Sequence, residues 1–210
     1  PGLRAFGATV TERGIRRSRS PGDLLLAASD ARLDGAGLIL ERELECLGYD
    51  DLRAVVVADF DRARSGVQIV DDVVGARAGG ARRIAALLAQ RPALAGHGLV
   101  LVTGTRVAVD PAHAAALEAS MGAQAEARDL DLQLTLVPGD DGLVELDGSG
   151  PDWRPGNYVP MLTEAFITGV TGIIVGTRAL LGEGWNAPPA NVLIDLTSVA
   201  SSQAVQQLPL

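Results

Sequence analysis

The amino-acid sequence predicts an α/β protein in which helices cover both faces of a mostly parallel sheet. Two observations support this fold class, and a third indicates the composition of its core. Helical patterns alternate along the chain with short apolar runs, which is the order that successive strand–helix units produce. The apolar runs are only four to six residues long and rich in Val and Leu, as in strands buried on both faces. Aromatic residues make up 3% of the chain, so the core is expected to consist of Ala, Val, Leu and Ile.

The first half of the chain contains four predicted elements in alternation: helix 23–48, strand 53–58, helix 79–90 and strand 99–102. Apolar residues recur at roughly helical spacing in the first of these helices. A break is expected there near Gly35 and Gly37, because glycine is a poor helix former, and Gly48 is expected to end the helix. Both strands are short apolar runs that polar residues follow directly.

The second half is predicted to contain a helix from Asp110 to about Met121, strand 130–137, a short edge strand 143–146, helix 160–168, strands 171–175 and 191–196, and a helix from Val199. Asp110 is a favourable helix cap, and Pro111 suits the first helical position. Polar and apolar residues alternate in strand 130–137, so one of its faces is expected to be wet.

Domain organisation and composition are those of an ordinary globular protein. Residues 1–22 are expected to form a flexible or peripheral segment and residues 23–210 a single domain. No apolar run approaches the ~18–20 residues that a membrane span needs, and a single cysteine, Cys46, fits a reducing compartment, so a cytoplasmic location is expected. With only His97 and His113 beside that cysteine, no zinc site is expected.

The charge of the chain limits its partners and its chemistry. The net charge is −8, which argues against a protein that simply coats nucleic acid but allows a few local phosphate contacts. All 18 basic residues are Arg. A Walker A loop needs a Lys to reach the phosphates of a nucleotide. The usual ATP-binding half of a P-loop motor is therefore not expected in this sequence.

The segment 176–188, with the sequence G-T-R-A-L-L-G-E-G-W-N-A-P, is the most informative part of the chain. It lies between two apolar runs, so its backbone N–H groups and hydroxyl are expected at the end of a buried strand, where α/β proteins place ligands. The segment resembles motif V of superfamily two helicases of the DEAD/DEAH type. Residues 201–207 resemble the start of their motif VI. The resemblance implies a single RecA-like (P-loop-NTPase-like) domain, the second motor domain of such a helicase.

The resemblance also implies roles for particular residues. Nucleic-acid backbone contacts would come from two strand ends, with Gly176, Thr177 and Arg178 after one strand and Thr103 and Thr105 after another. The nucleotide cleft would be lined by Glu183, Gly184, Asn186 and Gln206. No catalytic residue and no metal ligand is implied.

Two departures from the family pattern stand out. Asn186 occupies a position where the family has Asp, so its side chain can hydrogen-bond but carries no charge. After Gln207 the sequence reads L-P-L, where the family continues with an arginine-rich run that stabilises the transferring γ-phosphate. The resemblance is thus to a domain cut within motif VI or to a degenerate relative.

The implied function is that of one half of an ATP-dependent helicase or translocase. ATP with Mg²⁺ would bind only together with an N-terminal RecA-like domain of the same protein, which this sequence does not contain. The other partner would be nucleic acid, with DNA favoured over RNA, and no membrane. The isolated chain is expected to be inactive as an ATP hydrolase.

Two alternatives remain open at this stage. The first is a non-catalytic RecA-like interaction or scaffold domain, which the Asn186 departure and the lack of the arginine run favour. The second is a small-molecule α/β enzyme whose site includes Asp59 and Asp61 at the end of a strand. Trp185 is expected to pack in the core or against another domain, with base stacking as the alternative.

Overall fold

The computed structural model describes residues 8–11, 14–17, 30–59, 80–139, 141–182 and 185–197. The strands in these ranges are β1 (Ala8–Thr11), β2 (Gly14–Arg17), β3 (Ala54–Ala58), β4 (Leu99–Val102), β5 (Val107–Val109), β6 (Gln133–Pro138), β7 (Val144–Ser149), β8 (Ile173–Thr177) and β9 (Val192–Asp195). The α-helices are α1 (Asp30–Leu47), α2 (Ala81–Ala89), α3 (Ala114–Ala127), α4 (Pro155–Ile167) and the single-turn α5 (Arg178–Leu181). The α/β class predicted from the sequence is confirmed.

The main sheet has seven strands in the order β6-β7-β5-β4-β8-β3-β9. Strands β4, β8, β3 and β9 are parallel to one another, whereas β5, β7 and β6 form an antiparallel extension on the β4 side. The sheet is therefore mixed. The pairs β4–β5 and β6–β7 are each joined by a short turn. Such a turn permits only antiparallel pairing, because a parallel pair needs a crossover connection of a dozen or more residues. Strands β1 and β2 form a separate antiparallel hairpin within the segment 1–22.

Strand β8, which carries the first two residues of the motif V-like segment, is inserted into the middle of the sheet. The chain leaves β3, forms α2 and β4, and returns to the gap between them only after α4. All five residues of β8 are buried. This explains the apolar run Ile173, Ile174 and Val175 at its start, since helices cover both faces of a parallel strand in this position.

Two hydrophobic cores lie on opposite faces of the sheet. One contains Leu40 of α1 and Ile84 of α2, packed on side chains such as Val56 of β3. The other contains Phe166 of α4 and Leu117 of α3, packed on the other face of the same strands. The prediction that helices cover both faces is confirmed, and the alternation of side chains along each strand is its physical basis.

The first helix shows one clear difference from its sequence prediction. Helix α1 is continuous through Gly35 and Gly37, so the expected break is wrong. A Cβ at position 37 would overlap the side chain of Arg91, whose Nε donates a 3.0 Å hydrogen bond to Glu41 of the same helix. Gly37 therefore makes room for a tertiary contact, and burial of Leu40 helps to offset the low helix propensity. The helix ends where predicted, at Gly48, with φ of 90°.

Asp110 caps a turn rather than the first residues of a helix. Its Oδ1 accepts hydrogen bonds from the N–H groups of Ala112 (3.1 Å) and His113 (3.2 Å), and its Oδ2 accepts one from Leu99 (2.8 Å). Helix α3 consequently begins at Ala114, later than expected from the sequence. The carboxylate is shared between the turn and the first residue of β4.

The remaining differences concern the antiparallel extension and α4. Strand β5 was not predicted, and β7 lies between β5 and β6, so the expectation of an edge strand at 143–146 is wrong. The edge strand on this side of the sheet is β6, whose more exposed residues alternate with half-buried ones over most of its length, as predicted. Helix α4 begins earlier than expected and contains Pro160. The helix predicted from Val199 lies outside the described residues, and no helix within them is long and apolar enough to cross a membrane.

Candidate functional site

The candidate site lies at the edge of the sheet where the parallel strands end. Gly176 of β8 pairs with Val102 of β4 on one side and with Val57 of β3 on the other. Thr177 and Thr103 are the next residues along their strands, and neighbouring strands lie about 4.8 Å apart. Two residues that the sequence analysis selected from separate segments therefore emerge side by side.

Thr103 begins a tight turn between β4 and β5, and its side chain is fully buried, with 0% exposure. Its N–H donates to the carbonyl of Arg106 (2.8 Å), and its Oγ1 donates to the same carbonyl (3.4 Å). The Thr103 Oγ1 also accepts from the N–H of Thr105 (3.4 Å), and its carbonyl accepts from the Tyr158 hydroxyl (2.8 Å). The exposed part of this turn is Gly104 and Thr105, while the Thr103 hydroxyl is used inside it.

Tyr158 connects this turn to the N-terminal part of α4. Its side chain is buried in the second core, and burial raises the pKa of its hydroxyl. The hydroxyl is consequently a hydrogen-bond donor throughout the physiological pH range, as the contact with the Thr103 carbonyl requires. Because α4 runs back toward β8, its first turn lies at the same edge of the sheet as Thr103 and Thr177.

Arg106 closes the turn from the other end and forms the main ion-pair network of the site. Its Nη1 and Nη2 donate to Asp141 Oδ2 (2.9 Å) and Oδ1 (3.3 Å), and Nη2 also lies 2.7 Å from Glu145 Oε1. Arg82 of α2 lies 3.7 Å from the same Asp141 carboxylate. Burial favours a higher pKa for Asp141, but the hydrogen bond and charge of Arg106, with help from the Leu143 N–H and Arg82, outweigh it and lower the pKa.

Thr177 ends β8 and is 7% exposed. It is the N-cap residue of α5, yet its hydroxyl makes no capping hydrogen bond to that helix. Gly176 before it is closely packed, because a Cβ there would lie 2.8 Å from Leu181 Cγ and 3.1 Å from the Val102 carbonyl oxygen. Arg178 follows and is half-buried. The Gly-Thr pair thus brings backbone and a hydroxyl to the strand end with little side-chain bulk.

A groove of about 610 Å³ lies beside this strand end, between α4 on one side and α5 with the segment that follows it on the other. One wall includes Val159 and Thr163 of α4, and the other includes Leu180, Trp185 and Asn186. The volume is in the range of small-molecule sites. Asn186 is exposed at the groove, so its amide can donate and accept hydrogen bonds there.

Trp185 forms part of the groove wall and is held in place. Its Nε1 donates a 2.9 Å hydrogen bond to Thr163 Oγ1, and its half-buried indole packs against the second hydrophobic core. Of the two roles considered for this residue, core packing is the one that the contacts show.

Several residues selected from the sequence cannot be placed at the site. Glu183, Gly184, Gln206 and Asp61 lie outside the described residues. Asp59 is half-buried directly after β3, at the same sheet edge as Thr177. Within the described ranges, no group of three or more His, Cys, Asp or Glu side chains could hold a metal ion.

Arg106, Asp141 and Tyr158 are site residues that were not expected from the amino-acid sequence. Each acts through a partner at least 35 positions away in the chain. No local pattern could have indicated these pairs. The nearest signal is the turn-rich composition around residues 138–142, which indicates a turn but not its contact with the β4–β5 turn.

Comparisons with family models, with curated proteins and with solved structures gave no match for this chain. The mixed seven-stranded sheet is compatible with a RecA-like or a Rossmann-like fold.

Proposed function

We propose that this chain is the second RecA-like domain of a superfamily two helicase-like motor, and that it contacts a nucleic-acid backbone and forms one wall of an ATP cleft. ATP with Mg²⁺ would bind only together with the first RecA-like domain, and DNA is favoured over RNA as the strand. The observation that carries the proposal is the position of the Thr103–Thr105 turn beside Thr177, at the end of adjacent parallel strands.

The proposed contacts with nucleic acid use what this strand edge exposes. Thr105 and the Gly104 backbone are accessible on the turn, whereas Thr103 supports the turn from inside. The Thr177 hydroxyl and the side chain of Arg178 would supply the second contact, one strand away. Hydroxyl, backbone N–H and arginine groups are common donors to phosphate oxygens.

The proposed nucleotide contacts lie in and beside the groove. The exposed amide of Asn186 suits a ribose hydroxyl, for which either its oxygen or its nitrogen would serve. Glu183, Gly184 and Gln206 are proposed for the same cleft from the family resemblance alone. The isolated chain is expected not to hydrolyse ATP, and robust metal-dependent ATP turnover by this chain would contradict that expectation.

The experiment that tests the proposal is binding of this chain to a fluorescent single-stranded oligonucleotide over a salt series. With about two phosphate contacts, log K should fall with log salt at a slope of about −1.4. Thr177→Ala and Thr105→Ala should each weaken binding, while Thr177→Ser, which keeps the hydroxyl, should retain it.

Thr135→Ala is the matched control, because Thr135 is exposed on the edge strand β6, away from the ends of β4 and β8. Equal affinity of Thr177→Ala and Thr135→Ala would contradict the proposed contact. Absence of binding by the folded chain would favour the non-catalytic scaffold function. Circular dichroism of each variant identifies losses that result from misfolding.

A further inference from the structure

A second cavity lies at the opposite edge of the sheet, where β4 and β8 begin. Its volume is about 210 Å³, and its lining includes Arg53, His97, His113 and Gly169. On one side of the cavity, the backbone at Gly169 lies close to the side chain of Arg53. Gly169 has φ of 82°, and a Cβ at this position would lie 2.7 Å from Arg53 Nη2. The guanidinium can therefore lie directly against the turn between α4 and β8.

His97 is the feature of this cavity that most needs an explanation. It is 5% exposed, and neither of its ring nitrogens makes a hydrogen bond of ordinary geometry with a described residue, although the Tyr49 backbone lies close enough to raise its pKa. The ring of Tyr49 packs against it edge-on, with centroids 4.0 Å apart and an interplanar angle of 69°. A buried polar group without a partner costs about 1–3 kcal/mol, so such groups commonly mark a site for a bound species.

Arg53 and His113 are other side chains in the lining whose polar atoms remain for a ligand. Arg53 Nη1 donates to the carbonyls of Asp50 and Leu52, both at 2.9 Å, which orients the guanidinium and leaves Nη2 for another acceptor. His113 Nδ1 donates to Asp110 Oδ1 at 2.9 Å, so its Nε2 is the nitrogen left for a ligand, and this nitrogen donates a hydrogen bond when the ring carries both protons. The Tyr49 hydroxyl donates to the Gly96 carbonyl.

The carboxylate of Asp50 is the acidic group in the lining, opposed by one guanidinium and two imidazoles. The guanidinium donates hydrogen bonds, and each imidazole donates through both nitrogens when it is protonated, so this lining suits an anionic ligand that is rich in acceptors.

We propose that this cavity binds a phosphate-sized oxyanion, either free or carried by a larger molecule, through Arg53, His97 and His113. An arginine and imidazoles are the side chains that commonly form charge-assisted hydrogen bonds to such anions. The volume holds one oxyanion with a few water molecules. The site lies at the far edge of the sheet from Thr103 and Thr177, so it is separate from the proposed nucleic-acid contacts.

The affinity of the cavity for an anion should depend on pH. Burial is the main cause that lowers the pKa of His97, and the charges of Arg53 and His113 act in the same direction. The Tyr49 carbonyl and Asp50 oppose them, and Asp110 faces the site through its contact with His113. An anion in the cavity would favour the imidazolium form of His97, so binding should tighten as the pH falls from 7 toward 5.5.

The test uses the two histidines of the chain as reporters, since their C2–H resonances are few enough to assign by substitution. Inorganic phosphate at pH 7 and sulfate over the pH series are titrated in, with chloride keeping the ionic strength constant. We expect a saturable shift of the His97 and His113 resonances. Arg53→Gln and His97→Gln should each raise the dissociation constant for the anion at least about tenfold.

Arg42→Gln is the matched control, because it removes the same charge from the exposed face of α1, where Arg42 is 74% exposed. No saturable shift up to tens of millimolar anion, or an Arg53→Gln variant that binds like Arg42→Gln, would overturn the proposal. A 5′-phosphorylated oligonucleotide and its unphosphorylated form distinguish the source. Displacement of sulfate by the phosphorylated one alone would indicate a phosphate carried by a larger molecule.

Discussion

Arg106 and Asp141 form a two-bond ion pair, with Nη1–Oδ2 at 2.9 Å and Nη2–Oδ1 at 3.3 Å. The same Arg106 accepts, through its carbonyl oxygen, the 2.8 Å hydrogen bond from the N–H of Thr103. One residue thus connects the turn of the candidate site with the β6–β7 hairpin. The Arg106 side chain is only 7% exposed, so the pair is largely shielded from water. Its loss should therefore destabilise the turn.

Replacement of Arg106 by Met should destabilise the protein by about 3 kcal/mol, because it leaves the Asp141 carboxylate partly buried without its main partner. Urea denaturation at pH 7 measures this change. Arg42→Met, which removes an exposed pair with Glu45, is the control and should produce no measurable change. A loss for Arg106→Met no larger than that of the control would show that the network is not stabilising.

The contribution of Asp141 to stability should depend on pH in a definite direction. Its pKa is lowered in the folded state, so the unfolded chain binds the proton more readily. The stabilisation is therefore present above the unfolded pKa of about 3.9 and is lost as the pH falls through the lower folded value. The difference in unfolding free energy between wild type and Asp141→Asn should shrink below about pH 4. A difference that stays constant down to pH 2 would contradict the ion-pair explanation.

Gly176→Ala should destabilise the protein by about 1–3 kcal/mol, because the added Cβ would lie 2.8 Å from Leu181 Cγ in a closely packed strand. Gly104→Ala is a matched control from the neighbouring turn, since a Cβ there meets nothing within 4 Å. It should change stability by less than about 0.5 kcal/mol. Equal urea midpoints for the two variants would show that the β8 strand end has more room than its contacts indicate.

His97 should make the protein less stable in mild acid when no anion is present. Burial lowers its pKa in the folded state, so the unfolded chain takes up the proton first as the pH falls. Stability should decrease as the pH passes below the unfolded value of about 6.5, and the loss should be complete below the folded pKa. Urea denaturation at pH 7.5 and pH 5 should show a smaller decrease for His97→Gln than for the wild type. An identical decrease would assign the acid sensitivity to other groups.

Much of the fold could be predicted from local patterns. The apolar runs in β3, β4, β8 and β9 are recognisable, because strands packed in a parallel sheet bury side chains on both faces. Strand β5 was not recognised, since three residues after a turn give too little pattern to separate strand from loop. The continuity of α1 was also missed, because burial of Leu40 and the contact between Arg91 and Glu41 beside Gly37 are tertiary interactions.

The candidate site also combines residues that a local sequence pattern indicates with contacts that only the tertiary structure creates. Thr177 and Asn186 are recognisable from the amino-acid sequence by itself, since the residue types of the motif V-like segment and their spacing lie within one stretch. The order of the strands comes from long-range packing, which inserts β8 between β3 and β4 and brings the Thr103 turn beside Thr177. The Arg106–Asp141 pair and the cavity around His97 have the same origin. Hydrophobic periodicity is a property of residues that are close in the sequence, so it can be read locally. Strand order and buried polar contacts depend on which distant segments pack together, so only the tertiary structure decides them.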